Sequence, residues 1–137
     1  MPEGQSIPPV VLLHLYTALA AVGVGIAVLT RPKGTPNHKL LGRLWVVLML
    51  VVAFTSFGIT ELRGAGGGAQ GPQAMSPIHI LSVWTIIAII AGLRAIRRGN
   101  RRAHKFWMIG TMIGLFGAGL GTLWPGRMIP TYLAGLL

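Results

Sequence analysis

Four apolar segments, each about as long as a membrane-crossing helix, constrain this chain more than any other feature of its sequence. They cover residues 9–29, 41–60, 77–93 and 106–124, and apart from Arg43 near the start of the second they contain no charged residue. A hydrocarbon core about 30 Å thick requires about 20 apolar residues in a helix, which satisfies its own backbone polar groups. The sequence therefore predicts an all-α protein with four transmembrane helices. No basic region precedes the first segment, so we expect a retained helix there and not a signal peptide.

The composition excludes several classes of function. Of the 137 residues, 53% are hydrophobic and 10% are charged, whereas soluble domains average about 25% charged residues. The absence of cysteine excludes disulfides, thiolate metal sites, iron–sulfur clusters and covalently attached haem. With only two acidic residues, the chain has no carboxylate pair for acid–base catalysis. Any cofactor would therefore be held by histidine, methionine or packing, and whether the chain is an enzyme stays open.

The basic residues are concentrated at one end of the predicted helices. Ten of the 12 Lys and Arg residues flank the first and third connections: Arg31, Lys33, Lys39, Arg43, Arg94, Arg97, Arg98, Arg101, Arg102 and Lys105. By the positive-inside rule these connections are cytoplasmic, so both termini and the second connection lie outside. We call the predicted cytoplasmic end the inner end, and the opposite end the outer end. The basic residues behind the net charge of +10 thus mark the cytoplasmic side and attract anionic lipid headgroups. We therefore expect no nucleic-acid partner.

The two halves of the chain show the same order of features. Each half contains a histidine, an apolar helix, a basic loop with a glycine, a His-Lys pair and a second apolar helix. Each second helix has a tryptophan near its inner start, Trp45 or Trp107, which we expect to be an interfacial anchor. Because both halves begin outside, the pattern predicts an up-and-down bundle of two parallel hairpin repeats. The predicted single domain, 1–137, consists of repeat one at 9–63, a Gly-rich linker at 64–73, repeat two at 74–124 and a short outer tail at 125–137.

The four histidines fall at two predicted levels. In an up-and-down bundle, helices 1 and 3 face each other diagonally, as do helices 2 and 4. His14 and His79 then share the outer end of one diagonal, and His38 and His104 share the inner end of the other. Neighbouring helix axes about 8–10 Å apart leave a diagonal gap of roughly 12–14 Å, which suits a haem with two axial histidines. The pattern therefore permits one or two b-type haems, with these histidines as iron ligands.

Each histidine pair also has an alternative interpretation. An outer histidine can simply form a hydrogen bond with a neighbouring helix or with water. An inner His-Lys pair can instead belong to the basic collar, by which we mean the ten Lys and Arg residues at the inner end, and contact lipid headgroups.

The fourth segment carries a stripe of glycines. Gly110, Gly114, Gly117 and Gly121 are spaced so that they share one face of a helix. Small residues let membrane helices approach closely, so the stripe predicts packing within the bundle or in a homodimer. Alternatively, Gly110, Gly114 and Gly117 leave room for a flat macrocycle. A matching stripe in the first segment consists of Ala18, Ala21 and Gly25.

Four stretches carry a resemblance to known proteins: HLYTALAAVGVGIAVL, PNHKLLGRLWV, SPIHILSVWT and RRAHKFWM. Over nearly its whole length the chain resembles a bacterial family of four-helix membrane proteins known as a domain of unknown function. That resemblance implies a multi-pass protein of the bacterial inner membrane and no particular activity.

In histidine placement the chain is also similar to di-haem b-type cytochromes, in which each of four core helices supplies one ligand. This likeness implies transmembrane electron transfer. The alternative is a structural, accessory or assembly subunit of a respiratory or other membrane complex, without a cofactor.

Overall fold

The computed structural model describes residues 9–65 and 77–122, and all of its regular secondary structure there is α-helix. The helices are α1 (Pro9–Thr30), α2 (Pro36–Ala65), α3 (Pro77–Arg97) and α4 (Arg101–Thr122). No strand occurs within these two ranges, so the all-α prediction is confirmed. The outer tail lies outside the described residues, as does the linker except for Gly64 and Ala65, which end α2.

Two helices begin earlier than the hydropathy pattern predicts. α2 starts at Pro36 instead of residue 41, and α4 starts at Arg101 instead of residue 106. Both His-Lys pairs therefore lie near the start of a helix and not in a loop. The reason is that the first residues of these helices are polar, so hydropathy does not distinguish them from the preceding connection.

Three of the helices are long and apolar enough to cross a membrane: Pro9–Thr30, Pro36–Ile59 and His79–Arg97. Within the described residues α4 does not join them, because its first turn is basic and its glycines lower its hydropathy. It nevertheless packs along much of α3. The crossing of the membrane by α4 stays a prediction.

The helices pack in the order expected of an up-and-down bundle. α1 packs along α2, and α3 packs along α4, so each half of the chain is a helical hairpin. α2 also meets α3, and a smaller contact between α1 and α4 completes the ring. Sequence neighbours are thus spatial neighbours, as short connections require.

Each hairpin turns at a glycine that is followed by a capping residue. Gly99 has a φ of 75°, and the N–H groups of Gly99 and Asn100 donate to Ile96 O (3.0 Å) and Ala95 O (2.9 Å). This Schellman arrangement ends α3. The Asn100 side chain then accepts a hydrogen bond from the N–H of Ala103 (3.0 Å) and so begins α4.

The first hairpin uses the same device. Gly34 has a φ of 81°, and the hydroxyl oxygen of Thr35 accepts from the N–H of His38 (3.3 Å). Lys33 closes the end of α1 by donating to the carbonyl of Leu29 (2.6 Å). Gly34–Thr35 and Gly99–Asn100 are therefore corresponding positions of the two hairpins.

A compact core in the middle of the bundle joins all four helices. It consists of Ala21 on α1, Trp45 and Met49 on α2, Ile89 on α3, and Met112 and Leu115 on α4. Trp45 is only 4% exposed, so its predicted role as an interfacial anchor is wrong. Gly25 makes room for the indole, because a Cβ at Gly25 would lie 2.7 Å from Trp45 Nε1.

Substituting Gly25 by Ala should therefore destabilise the protein. The added methyl would meet the rigid indole of Trp45 and the side chain of Met112. Overpacking of this kind costs about 1–3 kcal/mol, which a lower melting temperature in detergent would reveal. Gly23→Ala is the matched control, because in the described part of the protein no atom lies within 4 Å of a Cβ at that exposed position. Equal melting temperatures for the two variants would show that the indole does not pack against Gly25.

The membrane orientation can be tested with single cysteines, because the chain has none of its own. Asn37→Cys lies at the exposed inner start of α2, and Gly67→Cys lies in the Gly-rich connection. In intact cells, an impermeant thiol reagent should label Gly67→Cys and should label Asn37→Cys only after the membrane is opened. The reverse labelling would overturn the orientation.

Candidate histidine sites at the two ends of the bundle

His14 is held by a hydrogen bond to the neighbouring helix. Its Nδ1 lies 2.9 Å from the hydroxyl oxygen of Thr55 on α2. The Thr55 hydroxyl also lies 2.7 Å from the carbonyl oxygen of Val51. When its single proton is donated to that carbonyl, Nδ1 of His14 is the donor in the contact between the two side chains. A neutral imidazole that donates from Nδ1 has an unprotonated Nε2, which is the form that binds a metal.

His14 begins the buried face of α1. This face continues through Thr17, Ala21 and Gly25, which are the buried residues of the helix. The predicted stripe contained Ala18 in place of Thr17, but Ala18 is only half-buried. Thr17 tolerates burial because its hydroxyl donates to the carbonyl of Leu13 (2.6 Å).

His79 lies at the same end of the bundle on α3. Its ring centroid is 5.3 Å from that of Phe57 on α2, and Phe57 is only two positions along the chain from the partner of His14. One turn further into the bundle, the buried hydroxyls of Ser82 and Ser56 are hydrogen-bonded to each other. The two outer histidines therefore rest against the same short part of α2.

The Nδ1 atom of His79 is buried and has no hydrogen-bond partner among the residues that the structure describes. An unpaired buried polar atom costs about 1–3 kcal/mol. Such an atom in a native protein calls for an explanation, and a bound water or ligand is one.

His104 is fixed at the inner end by a hydrogen bond to α3. Its Nδ1 lies 2.9 Å from the carbonyl oxygen of Gly92. Because a carbonyl oxygen only accepts, Nδ1 carries the proton, and Nε2 of the neutral ring is free to bind a metal. Gly92 also lets α4 approach, since a Cβ there would lie 3.2 Å from Trp107 Cβ.

His38 lies on the core-facing side of α2. Trp45 and Met49, seven and eleven residues further along, share this side and are buried in the core. The Nδ1 atom of His38 is buried and, within the described ranges, has no hydrogen-bond partner; the same is true of Nε1 of Trp45. The inner part of α2 thus holds two unpaired buried nitrogens.

The two inner histidines lie at different distances along the chain from the residues that cap their helices. His38 is the third residue after the cap Thr35, whereas His104 is the fourth after the cap Asn100. One residue of an α-helix corresponds to a rotation of about 100°. The two rings therefore have different surroundings, although the His-Lys pairs look identical in sequence.

Two histidines thus lie at each end of the bundle, and the core separates the two pairs. Within the described ranges, no group of three or more His, Cys, Asp or Glu could hold a metal ion. A haem differs from a bare ion, because the porphyrin supplies four ligands and the protein needs to supply only two. Two histidines are thus the number of protein ligands that a six-coordinate haem takes, and fewer than a bare metal ion usually takes.

The glycines of α4 do not lie beside the histidines. Gly110 and Gly117 are exposed, and a Cβ at either position would meet no atom of the described residues within 4 Å. Gly114 is half-buried and would make only an ordinary contact of 3.8 Å with Leu81. Along α4, Gly110 and Gly117 are on the side roughly opposite His104. The stripe therefore packs little within the bundle, and a macrocycle on it would lie outside the histidine pairs.

Sequence reasoning missed the partners of the histidines. Thr55 stands out as a polar side chain in an apolar segment, and such residues often form hydrogen bonds between membrane helices. Gly92 gave no comparable signal, because it acts through its backbone carbonyl.

Comparison with known proteins identifies a family for the chain. The family described as "Predicted membrane protein (DUF2306)" matches residues 11–134. This range includes all four histidines and nearly all of the four helices. No curated protein matches the chain, and no solved structure matches it. The match confirms the family that the four sequence stretches indicated, which is a domain of unknown function.

Proposed function

The chain belongs to the DUF2306 family of predicted membrane proteins, and from that premise we propose that it binds b-type haem and transfers electrons across a membrane. One observation carries this proposal: each end of the bundle has two histidines on different helices, next to a core that all four helices share. We place the protein in the bacterial inner membrane, with its basic inner collar against anionic headgroups.

At the outer end, His14 and His79 would be the two axial ligands. The Thr55 hydroxyl would accept from Nδ1 of His14 and so hold the ring with Nε2 free for the iron; hydrogen bonds of this kind orient histidine ligands in metal sites. His79 brings a buried nitrogen that has no partner in the described part of the protein. Phe57 packs against the His79 ring and limits its rotation.

At the inner end, His38 and His104 would be the ligands. The Gly92 carbonyl fixes the His104 ring with Nε2 free. Lys39 and Lys105 follow these histidines and are exposed, so they are available to pair with the carboxylates of a haem. The proposal thus gives the repeated His-Lys order of the two halves a chemical purpose: a ligand followed by a counter-charge.

Haem iron with two histidine ligands is six-coordinate, which suits it to electron transfer and not to oxygen chemistry. The protein's own contribution is to place the two sites near opposite membrane faces. Along α2, His38 and Thr55, the partner of His14, are 17 residues apart, or about 26 Å. The core lies between the two levels, and its buried Trp45 and Met49 exclude water from the path.

A second candidate is a non-catalytic accessory or assembly subunit of a membrane complex, or a homodimer. The observation that favours it is that no part of residues 9–65 or 77–122 covers Gly110 and Gly117 on the outward side of α4. A partner helix can approach closely along such a surface, because glycine has no side chain.

Spectra of histidine variants distinguish the two candidates. In protein purified from cells supplied with a haem precursor, His14→Ala and His79→Ala should each remove the same component of the reduced-minus-oxidised absorption spectrum. His38→Ala and His104→Ala should both remove a second component. Tyr16→Ala and Asn37→Ala are the controls, since both residues are exposed neighbours of a histidine and should leave the spectrum unchanged.

The wild-type spectrum decides the outcome. Wild-type protein that inserts into the membrane but carries no haem would refute the haem proposal and favour the accessory subunit. If the outer variants removed different components, the pairing of His14 with His79 would be wrong.

A further inference from the structure

An open groove runs along the outward face of α3 and ends at the first turn of α4. Its volume is about 690 Å³, and none of the four histidines lines it. Its floor is apolar and consists of Ile87, Ile90, Ala91 and Ala95. Its inner end carries two arginines, Arg94 and Arg98.

The apolar floor has the dimensions of one lipid leaflet. Ile87 and Ile90 are 50% and 51% exposed, so about half of each side chain is left uncovered by the rest of the protein. From Ile87 to Arg98 the helix rises about 16 Å. Half of a hydrocarbon core is about 15 Å thick. An acyl chain lying in the groove would therefore extend from the membrane surface to the bilayer centre.

The arginines provide an unneutralised positive charge at the right depth. Arg94, in the last turn of α3, and Arg98, the residue directly after α3, are both exposed. The N–H of Arg98 donates to the carbonyl of Arg94 (3.1 Å), and neither side chain forms an ion pair within the described ranges. The whole chain has only two acidic residues, Glu3 and Glu61. Arg94 and Arg98 also lie at the end of the span His79–Arg97, where lipid phosphates are expected. Guanidinium groups bind phosphate through paired, charge-assisted hydrogen bonds.

We infer that this groove binds one anionic glycerophospholipid. Its phosphate contacts Arg94 and Arg98, and one acyl chain lies on Ile87, Ile90 and Ala91. This site differs from a diffuse attraction between the basic collar and the membrane surface, because it requires both the arginine pair and the apolar floor. It is also independent of the proposed haem sites.

The test is native mass spectrometry of the full chain, delipidated in detergent and titrated with phosphatidylglycerol. One phosphatidylglycerol per chain should bind, at least about ten-fold more tightly than phosphatidylcholine with the same acyl chains. Inorganic phosphate should not compete at concentrations comparable to the lipid. Equal binding of phosphatidylcholine, or displacement by equimolar phosphate, would overturn the proposal.

Two pairs of variants test the two halves of the site. R94Q/R98Q should weaken phosphatidylglycerol binding roughly ten-fold or more, since hydrogen bonds to charged groups are lost. R43Q/R101Q removes the same charge from exposed positions that do not line the groove and should have little effect. Ala91→Phe should fill the floor and weaken lipid binding, whereas Ala20→Phe, on an exposed position of α1, should not.

Two outcomes with these variants would contradict the proposed lipid site. Equal losses in R94Q/R98Q and R43Q/R101Q would show that only net charge matters. Full binding in Ala91→Phe would show that no acyl chain occupies the groove. Either result would overturn the inference.

Discussion

The arrangement of this protein depends on close packing between helices in the middle of the bundle. Lipid is as apolar as the side chains, so the hydrophobic effect does not hold membrane helices together, and packing contacts must do so. The contact of Trp45 with Gly25 and Met112 joins three of the four helices at one point. With Ile89 and Leu115 it fills the centre of the bundle and leaves the histidines at the two ends. The separation of the two histidine levels thus follows from where the core lies.

Hydrogen bonding then determines the state of each histidine. Water is scarce within the bilayer, so a buried imidazole needs a partner from the protein or from a ligand. His14 and His104 have such partners, Thr55 on α2 and the carbonyl of Gly92 on α3. For His38 and His79 the described part of the chain offers none to Nδ1. Each end of the bundle therefore combines one ring oriented by a hydrogen bond with one ring whose buried Nδ1 has no partner in the described residues, and the haem proposal gives both kinds of ring a role.

The number of helices and the two hairpins could be predicted from the sequence, because hydropathy and the basic connections are strong, local signals. The early starts of α2 and α4 were not predicted, since their capping residues Thr35 and Asn100 precede polar and not apolar turns. The burial of Trp45 depends on Gly25, which lies on another helix, so the sequence near the tryptophan does not reveal it. The spacing of the α4 glycines shows that they share a face, but spacing does not tell what that face meets. For the same reason, the His-Lys pairs look equivalent although their rotation about the helix differs.

The most direct test of the account is electron transfer across sealed vesicles that contain the purified protein. Ferricyanide is trapped inside, an impermeant reductant is added outside, and the loss of ferricyanide absorbance is followed. Vesicles with the wild-type protein should lose the absorbance faster than vesicles without protein. His79→Ala or His38→Ala should give no acceleration, because each removes a ligand of one of the two proposed haems. Equal rates in wild-type and protein-free vesicles, with the protein shown to be inserted, would contradict the account.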